Sequence, residues 1–112
     1  MLFRSFSNIP SWVKRITVLT YGATATPAIQ LGTSSGLVTT GYTCVYYSAL
    51  SGNQTASGST TTAFQSQATN GTYILHNPTG NTWTMVGMHS NAGNRSTVAS
   101  GEVTLEIGRA HV

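Results

Sequence analysis

The chain has 112 residues and a formal net charge of +3, with charged residues at 6% of the total, against about 25% in an average soluble domain. That length allows one domain. No apolar run is long enough for a membrane-spanning helix, and no basic start leads into an apolar stretch, so no secretory leader is expected.

In chain order, the first element is a strand over Val13–Tyr21 ("VKRITVLTY"), with Ile16 and Val18 on one side and Thr17 and Leu19 on the other. Pro10 and Trp12 precede it, and the pair Lys14–Arg15 fits an edge strand, where charge discourages edge-to-edge aggregation. Ala28 to Gly32 follows Pro27 as a second strand, and Ser34–Gly36 is a turn signal. Tyr42–Leu50 is aromatic and β-branched, hence a third strand. Ser51–Ser59 ("SGNQTASGS") reads as a loop by composition. Strands are then expected over Thr60–Gln65, Thr72–Asn77 and Thr82–His89, with a hairpin turn at Asn77–Asn81 around Pro78 and Gly80. A turn at Ala92–Arg95 leads to a last strand, Ser96–Glu106. No segment has helical apolar spacing. The expected fold class is all-β, an antiparallel β-sandwich or jelly-roll-like domain of roughly six to eight strands. Ile16, Val18, Leu31, Val45, Ile74 and Val86 are the expected core.

The chemistry present is sparse. There is no Asp, and the two carboxylates, Glu102 and Glu106, would stand about 13 Å apart on one strand face, too far for paired-carboxylate glycoside hydrolysis. A Ser-His-Asp arrangement lacks its acid, and no nucleophile elbow is present. The chain is expected not to be an enzyme. His76, His89 and the single Cys44 fall short of a zinc ligand set and read as strand-end polar residues and a small buried hydrophobe. Neither a metal nor a cofactor is expected. Of the five bases, Arg4 and Arg109 lie at the chain ends. The remaining three form no stripe, so no nucleic-acid partner is expected. No membrane partner is expected either.

Aromatic residues are the better functional clue. Tyr46 and Tyr47 must point to opposite faces of their strand, so one can fill the core while the other is exposed. An exposed aromatic plane near hydrogen-bonding side chains suits a sugar ring. The candidate ligand-binding residues are Tyr47, Asn53 and Trp83, with Trp12 behind them. Contact is expected through the segments Ser51–Ser59 and Asn77–Asn81.

The run Ile9-Pro10-Ser11-Trp12-Val13-Lys14-Arg15-Ile16-Thr17-Val18, followed by "IQLGTSSGLVTTGY" and later by "NTWTMVG", resembles the C-terminal β-rich segment of tail-fibre and other virion structural proteins of tailed bacteriophages. The resemblance covers about residues 8–45 well and 80–106 loosely, while Thr43 to Tyr73 matches only in composition. It implies a non-catalytic virion module in the tail. Its implied partners are other virion tail proteins and two further copies in a homotrimer of the full-length protein. A host-surface carbohydrate or receptor is the implied attachment target. The alternative is a carbohydrate-binding module of a cellular protein. Proteins of this kind continue past this strand with a further strand pair, whereas this chain goes to "EIGRAHV". Ile107–Val112 looks like the translation of a short-read sequencing adapter, and Leu2–Ser5 like that of its partner adapter. Residues 1–5 and 107–112 are therefore read as adapter-derived, and 6–106 as a fragment of a sandwich-like domain from a metagenomic source. An open sheet edge beside the last strand is expected from such a truncation.

Overall fold

The computed structural model describes residues 9–10, 12–22, 27–33, 36–50, 52, 54–66, 69–91 and 95–105. Both supposed adapter stretches lie outside them. Among the described residues the fold is all-β and antiparallel, with no helix. Six strands form the main sheet: β1 (Arg15–Thr20), β5 (Thr43–Leu50), β6 (Gln54–Thr60), β8 (Asn70–Thr79), β9 (Thr82–Asn91) and β10 (Arg95–Thr104). Their order across the sheet is β1-β8-β9-β10-β5-β6. Four strands of two residues each make two small pairs. These are β2 (Ala28–Ile29) with β7 (Phe64–Gln65), and β3 (Gly32–Thr33) with β4 (Gly36–Leu37).

The architecture is sandwich-like, with the sheet as one layer and the short pairs and their connections as the other. The sheet's inner face carries Ile16 and Val18 (β1), Tyr73 and Leu75 (β8), Met85 (β9), Ala99 and Val103 (β10), and Cys44 (β5). Ile29, Leu31, Val38, Tyr42 and Phe64 close over it. Tyr42 and Phe64 meet edge to face, with ring centroids 5.1 Å apart at 87°. The Tyr42 hydroxyl accepts from the Leu31 N–H at 2.9 Å and donates to the Val38 carbonyl at 2.8 Å. One buried phenol thus ties down the β3–β4 segment. Burial pushes its pKa up, only partly offset by the Leu31 hydrogen bond.

Glycines fit where a neighbouring strand's backbone or a crossing side chain leaves no room for a Cβ. A Cβ on Gly101 would meet the Thr43 carbonyl oxygen at 2.2 Å, and one on Gly58 would meet the Tyr46 hydroxyl at 2.4 Å. Gly58 lets the Tyr46 ring lie across the edge strand.

Several expectations change. Ser51–Ser59 is not one loop, because β6 occupies Gln54–Thr60 and pairs with β5 from Leu50↔Gln54 to Cys44↔Thr60. An edge strand needs little apolar surface, so its Ser/Thr/Gly composition misled the reading. Only Phe64–Gln65 of Thr60–Gln65 forms a separate strand. The β8–β9 turn tightens to Gly80–Asn81, with Gly80 at φ 52° and a register irregularity between His76 and Thr79. The last strand is not beside an open edge: β10 lies inside the sheet, paired with β9 and β5. The edges are β1 and β6, and β1 carries Arg15 as an edge strand should.

The expected core is half right. Ile16, Val18 and Leu31 pack against the core. Val45 and Val86 do not: they are 57% and 55% exposed on the outer face. Ile74 stands beside Val86 there, half-buried. β5 and β9 carry apolar residues at both parities, and the parity bearing Cys44 and Met85 took the core. A one-residue choice reverses every side chain of a strand.

Candidate binding face

Register fixes the composition of the outer face in rows. One row reads Leu19, Thr72, Met88, Val98, Tyr47, Ser57 from β1 to β6. The next reads Thr17, Ile74, Val86, Ser100, Val45, Ser59, and the third Arg15, His76, Thr84, Glu102, Thr43. Leu19 is 75% exposed and Met88 73%. Tyr47 and Val98 are about half exposed. Two adjacent rows therefore place aliphatic, thioether and aromatic side chains in a band from β1 to β5. Scattered apolar residues on a surface are ordinary, whereas exposed apolar side chains set in adjacent rows make a candidate contact site. A shallow, open depression crosses β5 and β10 along Val45, Tyr47, Val98 and Ser100. It has no enclosure of the kind a small-molecule or catalytic site uses.

The sequence-derived candidates do not converge. Tyr47 is on the outer face and Tyr46 on the inner face, the division that strand geometry required. Trp83 stands on the inner face, half-buried against the core and paired with Val103. Tyr47 and Trp83 are on opposite sides of the sheet and cannot share a ligand plane. Asn53 lies outside the described residues. Trp12 is 77% exposed ahead of β1. In the Asn77–Asn81 segment one amide serves the turn and the other reaches the chain just past β10. Asn77 Nδ2 donates to the Gly80 carbonyl at 2.9 Å, and Asn81 Nδ2 donates to the Leu105 carbonyl.

Cys44 and His89 are buried titratable side chains on the inner side of the sheet. Cys44 is buried against Gln65, with its sulfur 3.3 Å from that carbonyl oxygen and 3.4 Å from its N–H, and burial pushes the thiol pKa up. His89 is buried under Tyr73, ring centroids 4.2 Å apart, and neither ring nitrogen has a hydrogen-bond partner. Burial holds its pKa below the usual histidine value of 6.5. Among the described residues no group of three or more His, Cys, Asp or Glu could hold a metal ion.

Sequence reading missed Leu19, Met88 and Val98 as members of a common surface. The available signal was the double apolar parity of three strands: Val45 and Tyr47 behind Cys44, Val86 and Met88 behind Met85, and Leu19 behind Val18. A half-solvated strand alternates cleanly; one with both parities apolar has contacts on both faces. No protein-family model, no curated protein and no solved structure matches the chain.

Proposed function

We propose that the chain is a non-catalytic structural module of a bacteriophage tail fibre or related virion protein. The observation that carries this reading is the bare apolar band on one face of a sheet whose other face the chain closes by itself. Such a layer suits a part that packs into a larger assembly. The resemblance of Ile9–Val18 and the following segments supplies the kind of assembly. On this reading, where the fibre meets a host-surface carbohydrate, Tyr47 is the available aromatic plane, because it lies toward the β6 side of the band. Its row neighbours, Val98 and Ser57, offer a sugar only one hydroxyl, so packing is the main role of the band and glycan contact a rim role.

The test is immunogold labelling of intact phage particles that carry this gene, with antibody raised against the chain. Label along the tails is the expected result. Bare particles, with the antigen confined to infected-cell extract, would overturn the reading.

A further inference from the structure

The outer face carries one basic and one acidic side chain among its described strand residues, Arg15 on β1 and Glu102 on β10, and register puts them in the same row. Three strand spacings separate them, about 14 Å at ~4.8 Å each, so they cannot pair within one chain. They sit symmetrically about the line between β8 and β9.

We propose that this face closes against the same face of a second copy of the chain, about a two-fold axis parallel to the strands and between β8 and β9. That rotation exchanges β1 with β10 and β8 with β9 while keeping each row at its height. Arg15 of each copy then meets Glu102 of the other, giving two reciprocal ion pairs. Leu19 meets Val98, and Ile74 meets Val86. Thr17 meets Ser100 and Thr72 meets Met88, so each charge finds its opposite within the Arg15 row and the apolar pairs lie in the two rows beside it. An isologous interface requires this self-complementarity. Sheets packed face to face lie ~10 Å apart with strands about 30° off parallel, a distance side chains of these sizes can fill.

The overlap is four strands, roughly 19 Å wide, ~33 Å long over β8 and β9 and ~20 Å where the six-residue β1 lies over β10, or about 500 Å² per copy, at the lower limit of specific interfaces. The pairing is therefore expected to be concentration-dependent. β5 and β6 overhang it, leaving Tyr47 and Val45 at the rim. The inference rests on the geometry of the face and not on the virion reading, and self-association and virion labelling can each fail separately.

The experiment is sedimentation velocity on the intact chain over a concentration series. It compares the parent with Arg15→Glu, Glu102→Arg and the double reversal Arg15→Glu/Glu102→Arg, each checked for native β-sheet by circular dichroism. The parent should move from monomer to dimer. Each single reversal faces like charges at both ends and should weaken association about tenfold or more, and the double reversal should recover to within about threefold of the parent. A parent that stays monomeric or assembles as a trimer would overturn the proposal. So would single reversals without effect, or a double reversal no better than the singles.

Discussion

Single residues decide how the covering layer is held. The Tyr42 hydroxyl has two backbone partners, Leu31 N–H and Val38 carbonyl, and removing it leaves both without that partner near the core. Tyr42→Phe should keep the fold and lower unfolding stability by about 1–3 kcal/mol, since an orphaned buried polar group forfeits its desolvation cost. Chemical denaturation of the two forms measures it; a change within error would mean that water reaches Leu31 and Val38. His89 sets a pH dependence of definite sign. Its folded pKa lies below 6.5, so below that pH the unfolded chain binds a proton that the folded chain refuses. This contribution to stability is complete at neutral pH, falls as pH drops below about 6.5, and levels off below the folded pKa. Denaturation midpoints from pH 8 to pH 4.5 should decline in that window, and His89→Leu should flatten the decline. An unchanged slope in the variant would remove His89 as its source.

At the scale of elements, the order of the strands makes a separate claim. β9 and β10 are interior and β1 and β6 are edges, so native-state hydrogen exchange should be slowest in β9 and β10 and fastest in β6 and β1. Fast exchange along β10 would restore the open edge expected from the sequence. The strands themselves were legible in β1, β5, β8, β9 and β10, where alternation and turn residues agreed. β6 was not, because Ser, Thr and Gly describe an exposed edge strand and a loop equally well. The facing of β5 and β9 was not legible either: period 2 gives two faces, and only packing against the covering layer, with Phe64 distant in sequence from both strands, chooses between them. The position of β10 between β9 and β5 is a long-range pairing that no local pattern encodes. Of the candidate residues, the outward facing of Tyr47 was legible from its strand and its neighbour Tyr46. Trp83 stands on the inner face, a placement that depended on that same choice.

For the whole molecule, the central claim is that the outer sheet face is a contact surface covered by association. Two methionines three residues apart on β9 report on it from opposite faces of the sheet. Met88 is 73% exposed on the outer face, and Met85 is 1% exposed on the inner face. Thioether oxidation follows exposure, so peroxide treatment with site-resolved mass spectrometry reads both at once. In dilute protein Met88 should oxidise readily while Met85 stays protected. As concentration rises, Met88 should become protected in step with assembly, with Met85 unchanged. Oxidation of Met88 at one free rate at every concentration would contradict the account.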